Sequence, residues 1–205
     1  MVQKSPARGR PRSFDPEQVL ASVRDAFWRS GYAGTSMDQL VAATGLHKPS
    51  LYGAFGDKKH LYREALDAYL AEARAEFGAA LSRPRLADSL AELAERAIDL
   101  FMRDGGSGCF MMATAMPEAR EDPEIGRVIR EAMDALDRAL VRRFQKAIDE
   151  GELDADADPE ALAMIVAANH YDLSTRARAG FPRTALEAHA ARSLRLAERI
   201  GGLKR

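Results

Sequence analysis

Strand-forming residues are scarce in this 205-residue sequence. Valine, isoleucine and threonine together occur only 18 times, whereas alanine alone occurs 38 times. β-Branched side chains lose χ1 freedom in a helix, while alanine is the strongest helix former. The composition therefore excludes an all-β fold and favours an all-α protein, and the length is enough for one or two domains with a buried core.

Other scarce features exclude further classes of protein. The single cysteine, Cys109, has no partner for an internal disulfide, and the four histidines lack the Cys/His spacing of a structural zinc site. No run approaches the ~20 apolar residues that a membrane span requires, and the basic start has no apolar signal-peptide segment. We therefore expect a cytoplasmic protein with no membrane partner, no metal and no cofactor.

Charge is distributed unevenly along the chain. Residues 1–60 carry nine lysines and arginines against five acidic residues, a net charge of +4, and the remainder carries −5. A basic segment joined to an acidic body is typical of a nucleic-acid-binding head on a second domain, although chance variation is the alternative. Arg8, Arg10 and Arg12 lie in a basic arm, residues 1–12, that suits the DNA minor groove or backbone. A disordered solubilising tail is the other interpretation of this arm.

Helix starts recur in the sequence. Asp-Pro-Glu stands at residues 15–17, 122–124 and 158–160. Aspartate is a favoured N-cap, proline suits the first helical position, and glutamate complements the helix dipole. Apolar spacing predicts a first helix over 16–30, ended by Gly31, and about nine helices with no strand in the whole chain.

The stretch after the first helix has the pattern of a helix-turn-helix. Ser36 and Gln39 have capping-box spacing at the start of one short helix, Gly45 ends it, and a second short helix fits residues 47–54. The outer face of the second helix carries Lys48 and small or polar residues, so the helix is able to enter the major groove.

These motifs resemble the TetR/AcrR family of transcriptional regulators over about residues 13–66. The family's recognition segment reads Gly-hydrophobic-Ser-Lys-Gly-Ser/Thr-Leu-Tyr-x-x-Phe-x-x-Lys-x-x-Leu. The matching residues are Gly45, Leu46, Lys48, Ser50, Leu51, Tyr52, Phe55, Lys58 and Leu61. His47 and Pro49 replace the usual serine and glycine, a departure that bears on base preference.

The resemblance implies a DNA-binding head over residues 1–57 and a helical effector-binding and dimerisation body over 58–205. The residues implied to face the major groove are Lys48, Pro49, Ser50 and Tyr52. The residues implied to contact the phosphate backbone are Thr35, Ser36, Tyr52 and Lys58. For Tyr52 and Lys58, simple packing and capping is the alternative.

In the body, methionine and phenylalanine suit an adaptable apolar ligand pocket. The pocket candidates are Phe101, Cys109, Phe110, Met111, Met112, Met116, Met133, Phe144 and His170. A plain hydrophobic core is the alternative for the methionines and phenylalanines, and a satisfied or surface histidine is the alternative for His170. Cys109 follows a glycine-rich break at a predicted helix start, where the dipole favours a thiolate. It is therefore either a sensor of oxidants and electrophiles or a small buried hydrophobe.

The last two predicted helices, over residues 158–201, each carry an apolar stripe. The candidates for a dimer interface are Leu162, Val166, Leu173, Leu186, Ala190, Leu194 and Ala197. Paired with its copy, this hairpin makes a four-helix bundle, unless the stripes face the protein's own core.

The sequence thus predicts a homodimeric repressor that binds a palindromic operator in double-stranded DNA and is released by a small-molecule effector. Thiol sensing through Cys109 is an alternative route of release. A DNA-architectural protein without a ligand is a further alternative. An enzyme is not expected because no nucleophile elbow, phosphate loop or HExxH motif occurs.

Overall fold

The computed structural model describes residues 14–204, apart from the side chain of Asp104. Within that range there are eight α-helices and one π-helical segment, besides two short 3₁₀ turns, and no strand. The helices are α1 (Pro16–Gly34), α2 (Met37–Thr44), α3 (Lys48–Phe55), α4 (Lys58–Leu81), α5 (Leu86–Phe101), α6 (Pro123–Asp149), α7 (Pro159–Arg178) and α8 (Arg183–Ile200), with the π segment at Met111–Ala115 between α5 and α6. The all-α expectation is confirmed. The arm of residues 1–12, with its three arginines, lies outside the described residues.

Local capping accounts for where the helices begin. Asp15, Asp122 and Asp158 each accept a hydrogen bond from the backbone N–H two residues ahead, at 3.0–3.1 Å. The three Asp-Pro-Glu helix starts are therefore confirmed. Ser36 and Gln39 form the expected capping box at the start of α2. Among the described helices, none is long and apolar enough to cross a membrane.

The first helix continues beyond its predicted end. Gly31 has φ 72° and ψ 170°, a conformation that breaks the helix axis, and one more turn follows before Thr35. Glycine adopts this positive φ without the strain that a Cβ atom would bring. Gly31 is therefore the residue at which the helix breaks, as predicted, but the prediction that the helix ends there is wrong because one more helical turn follows.

One hydrophobic cluster runs from the N-terminal helices into the body. Val23, Phe27 and Leu51 are buried in the same cluster as Phe101 and Phe110 of the body. The hydrophobic core therefore continues across the predicted domain boundary at residue 57. Because α4 begins at this boundary and extends for 24 residues, it joins the two parts without a linker.

A second cluster fills the space between α5, α6, α7 and α8. The sequence-based dimer candidates prove to be core residues, because all seven are 9% exposed or less within the single chain: Leu162, Val166, Leu173, Leu186, Ala190, Leu194 and Ala197. The prediction that these side chains meet a partner is therefore wrong for this structure. Periodic apolar residues must be covered, and the neighbouring helices of the same chain cover them.

Candidate functional site

The outer face of α3 carries the residues that the sequence predicts to contact base edges. Leu51 and Phe55 are buried beneath the helix. The exposed residues of α3 are Lys48, Pro49, Ser50, Tyr52 and Gly53. Small side chains beside one cation and one phenol let a helix approach base edges closely. Four of these five residues are the predicted groove-facing set, and the structure exposes all four on the same short helix.

Lys48 is held by an ion pair with α2. Its Nζ lies 2.9 Å from Oδ1 of Asp38, and this hydrogen bond raises the pKa of the Lys48 ammonium. Both side chains are more than half exposed, so water screens the attraction and the pair is easily exchanged for another acceptor. The pair keeps Lys48 charged and restrains it near the surface that α3 presents.

The predicted phosphate contacts have different surroundings. Ser36 is exposed, and its Oγ accepts a hydrogen bond from Gln39 N at 3.2 Å. Lys58 begins α4, where its Nζ lies 4.4 Å from the ring centroid of Tyr32. This cation–π contact orients the ammonium without neutralising its charge. Ser36, Tyr52 and Lys58 therefore keep polar groups that can meet phosphates.

Thr35 is different from the other predicted contacts. It is only 2% exposed, and its hydroxyl donates to the carbonyl oxygen of Gly31 at 2.7 Å. The hydroxyl thereby satisfies a carbonyl that the kink at Gly31 frees from the helix. We therefore correct the sequence-based role of Thr35 from phosphate contact to support of the turn between α1 and α2.

A cavity of about 290 Å³ lies in the body between α4, α6, α7 and the segment that follows α5. Its residues from α4 are Tyr69, Leu70, Ala73, Arg74, Phe77, Gly78 and Leu81. Its residues from the other elements are Cys109, Met111, Ala132, Ala135, Leu136, Ala139, Arg142, His170 and Tyr171. The wall is mostly apolar with a few polar groups, which is the usual character of a small-molecule site.

Some predicted pocket residues line this cavity and others do not. Cys109, Met111 and His170 are in its wall. The phenylalanines Phe101, Phe110 and Phe144 are buried in the two core clusters. The methionines Met112, Met116 and Met133 are outside the cavity lining and at least partly exposed.

Sequence reasoning missed the contributions of α4 and α6. Small residues on both helices leave the space that the cavity occupies: Ala73, Gly78, Ala132, Ala135 and Ala139. Runs of small residues on two facing helices are a usable signal, but only when it is known that the helices face each other.

His170 is a buried polar group of the cavity wall. It is 7% exposed, and the rings of Phe77 and Phe101 pack edge-on against its imidazole, with ring centroids 5.0 Å apart in each pair. Burial lowers the pKa of the imidazole to about 4, because its charged form is poorly solvated there. At neutral pH the ring is therefore uncharged and offers one donor and one acceptor nitrogen.

Cys109 presents a thiol to the cavity. Its Sγ accepts a hydrogen bond from the Tyr69 hydroxyl at 3.3 Å, and its backbone N–H donates to Ser174 Oγ at 2.8 Å. Burial raises the pKa of the thiol, and hydrogen bonds from Tyr69 and the amides of Met111 and Met112 oppose this only in part. Desolvation therefore raises the pKa of the Cys109 thiol, in place of the lowering by a helix end that the sequence suggested.

The π segment connects the cavity wall with the N-terminal helices. Phe110 precedes the segment and packs against Trp28 of α1, with ring centroids 5.5 Å apart. Thr114 lies within the segment, and its Oγ1 is 2.9 Å from the Tyr62 hydroxyl of α4. One turn of chain therefore contacts the cavity through Met111, the head through Phe110 and the first part of α4 through Thr114.

Ion pairs add a second connection between the first part of α4 and the start of α6. Lys59 Nζ lies 2.6 Å from Asp122 Oδ2, and Arg63 Nη1 lies 2.6 Å from Glu124 Oε1. Asp122 also caps α6, so the same carboxylate holds the helix start and the neighbouring α4. Two ion pairs therefore join the start of α6 to the first two turns of α4, directly after the head.

Comparison with known proteins identifies the class that this architecture represents. Residues 19–65 match the family model of bacterial regulatory proteins of the tetR family, and residues 84–193 match a tetracyclin repressor-like C-terminal domain. The chain belongs to the TetR family of transcriptional regulators, as its helix-turn-helix segment indicated. That family is non-enzymatic, and the expectation that the chain is not an enzyme is confirmed.

Individual relatives extend the match over nearly the whole chain. The HTH-type transcriptional repressor ComR of Escherichia coli (strain K12) is 30% identical over 198 residues, covering 95% of this chain and 93% of that protein. A cysteine mutant of the TetR family regulator CifR, solved with 26-bp double-strand operator DNA, is 34% identical with a TM-score of 0.81, covering 91% of this chain and 98% of that one. A TetR regulator from Chloroflexus aurantiacus is 26% identical with a TM-score of 0.76, covering 86% of this chain and 90% of that one.

Proposed function

We propose that this protein is a homodimeric repressor that binds a palindromic operator through α3 and is released when a small molecule fills the body cavity. The observation that carries the proposal is the shared segment between cavity and head. Met111 forms part of the cavity wall, while Phe110 and Thr114 beside it contact α1 and α4. A ligand that moves this segment therefore moves the support of the DNA-binding helices.

Similarity supports the DNA-binding half of the proposal. The relative ComR is named a repressor, and the CifR structure contains operator DNA. In this chain, the exposed set Lys48, Pro49, Ser50 and Tyr52 is the proposed groove contact. Ser36 and Lys58 flank it as the proposed backbone contacts. The division of labour remains a DNA-binding head over 1–57 and an effector-binding body over 58–205.

Release requires that the ligand prefers one conformation of the protein. A ligand with equal affinity for the DNA-bound and free forms shifts nothing, however tightly it binds. The cavity wall and the head share the segment around Met111, so a ligand that widens the cavity disfavours the DNA-binding arrangement of α1 and α4.

The dimer is proposed to form through exposed residues of α7 and α8. Met164 is 67% exposed, Leu196 is 51% exposed and Ile200 is 56% exposed, which is unusual for large apolar side chains. Ala168 and Ala188 are exposed on the same two helices. Two copies of the hairpin would cover these residues in a four-helix bundle and hold two heads about 34–36 Å apart, one turn of DNA.

The experiment that tests the proposal begins with selection of an operator from a random DNA library. Lys48→Ala is expected to relax base preference at the selected site, because α3 faces the groove. Lys58→Ala is the matched control: it removes the same charge, but is expected to weaken binding to all sequences alike and to lower the salt slope by about one. Reversal of the two effects would refute the assigned roles.

Capture of an electrophile by Cys109 is a second candidate for the release step. It is favoured by the position of the thiol in the cavity wall, with Tyr69 hydrogen-bonded to the sulfur. Because burial raises the thiol pKa, the reaction is expected to be slow at neutral pH and faster as the pH rises. Loss of operator binding on iodoacetamide treatment of the wild type but not of Cys109→Ser supports it. Equal behaviour of the two proteins excludes it.

A further inference from the structure

The charges of the cavity wall all have one sign. The two charged residues in the lining at neutral pH are Arg74 of α4 and Arg142 of α6, and no aspartate or glutamate of the described chain lines the cavity. His170 adds no charge, since its imidazole stays neutral above a pKa of about 4. A bound cation would therefore find no counterion in the wall, whereas a bound anion would find two.

Both arginines are exposed, so they lie where the cavity meets solvent. Among the side chains that the structure describes, neither has a carboxylate oxygen within 4.0 Å. Other arginines of the chain do, including Arg24, Arg96 and Arg103. Arginine presents a fork of N–H donors that matches a carboxylate, and a free fork at the mouth of an apolar cavity is an anchor for one.

The interior has a different character. Ala73, Met111 and Leu136 contribute apolar surface, and the buried polar groups of the wall are Tyr69, Cys109 and His170. No group of the described residues forms a hydrogen bond with the His170 ring. The volume of about 290 Å³ is at the small end of ligand sites, which span about 300–1,000 Å³.

We propose that the cavity binds a small amphipathic carboxylate, with its apolar body inside and its acid group between Arg74 and Arg142. The inference rests on the proposed function, because it names the ligand class of the same cavity. Asp137 and Glu160 are competing charges, since they line the neighbouring surface groove together with Arg142. Both are outside the cavity lining, so they weaken the anchor at the mouth while the charge of the wall itself stays positive.

Isothermal titration calorimetry with matched probes tests the charge preference directly. The probes are octanoate with octanamide and octylamine, and 3-phenylpropionate with its amide. At least one acid is expected to bind about tenfold more tightly than its amide, and octylamine is expected to bind least. Because the arginines are exposed, raising the salt concentration should weaken binding of the acid and leave that of the amide nearly unchanged.

Variants then locate the acid group. Arg74→Gln and Arg142→Gln should each weaken binding of the acid about fivefold, with little change for the amide. Arg130→Gln is the matched control, since Arg130 is exposed on α6 but lies outside the cavity lining. Circular dichroism melting checks that each variant folds.

The outcomes separate this inference from the proposed function. Amide binding equal to acid binding, acid binding that ignores both arginines, or no binding of either acid overturns the inference. Operator release is measured separately by fluorescence anisotropy. Arginine-dependent binding of an acid that leaves the protein on the operator supports the inference and contradicts effector release. Release from the operator by a neutral compound but by no acid supports effector release and contradicts the inference.

Discussion

The buried hydrogen bond between Tyr62 and Thr114 offers a sharp test of the connection between cavity and head. Thr114 Oγ1 donates to the carbonyl oxygen of Phe110 at 2.8 Å, so its single proton is already committed. The Tyr62 hydroxyl, 2.9 Å away, is therefore the donor to Thr114. Burial raises the pKa of Tyr62, so its hydroxyl keeps its proton throughout the physiological range.

Three variants should differ in the free energy of unfolding for separate reasons. Tyr62→Phe removes the donor and is expected to cost about 1 kcal/mol, the usual net value of a hydrogen bond. Thr114→Val leaves the Tyr62 hydroxyl buried without a partner and is expected to cost about 2–3 kcal/mol. The double variant removes both polar groups, so its cost should fall short of the sum by about 1 kcal/mol.

Urea unfolding followed by circular dichroism at one fixed protein concentration measures these costs. The fixed concentration matters because stability of an oligomer depends on it. If the two single losses add within about 0.3 kcal/mol, the two groups are not coupled and the described contact is refuted. In ligand-release assays, the double variant should fold yet lose part of the effect of ligand on operator affinity.

Three further predictions concern single residues. Folding lowers the pKa of His170 from 6.5 to about 4, so on acidification the unfolded chain takes up this proton before the folded chain does. The contribution of neutral His170 to the free energy of unfolding should be complete above about pH 6.5 and fall by about 3 kcal/mol toward pH 4. His170→Gln should flatten this pH profile in urea titrations. Leu196→Asp should give a folded monomer in sedimentation velocity, whereas Leu194→Asp should unfold the core, and a surviving Leu196→Asp dimer would place the interface elsewhere. Thr35→Val should lower the free energy of unfolding by about 1–3 kcal/mol without changing base preference. A change in the preferred operator sequence would show that Thr35 contacts DNA after all.

Features that depend on a few neighbouring residues were predictable from the sequence. The helix starts at Asp15, Asp122 and Asp158 follow from side-chain geometry within three residues, and the structure has each of them. The capping box of Ser36 and Gln39 is equally local. The exposed face of α3 follows once the buried residues of that short helix are assigned, because a helix of two turns has only one remaining side.

Features that depend on which helices meet were not predictable in the same way. An apolar stripe such as Leu162 to Leu173 has the same period whether it faces its own core or a partner, and only the packed chain decides. The cavity lining of α4 around Ala73 and Gly78 was missed because small residues mark a space only when a facing helix is known. For Cys109, a local helix-end argument was overruled by burial, a property of the whole fold.

The free energy of the contacts between the cavity segment and the helices that support the head is of the size needed for allosteric release. Allosteric coupling is typically worth about 1–3 kcal/mol, a 5–150-fold change in affinity. The Tyr62–Thr114 hydrogen bond and the bond from Trp28 Nε1 to the Ser107 carbonyl oxygen, 3.0 Å long, are each worth about 1 kcal/mol net. Loss of these two contacts when a ligand fills the cavity would therefore change operator affinity within that range. The helices themselves need not unfold, because the residues that cap their N-terminal ends lie outside the segment that the ligand touches.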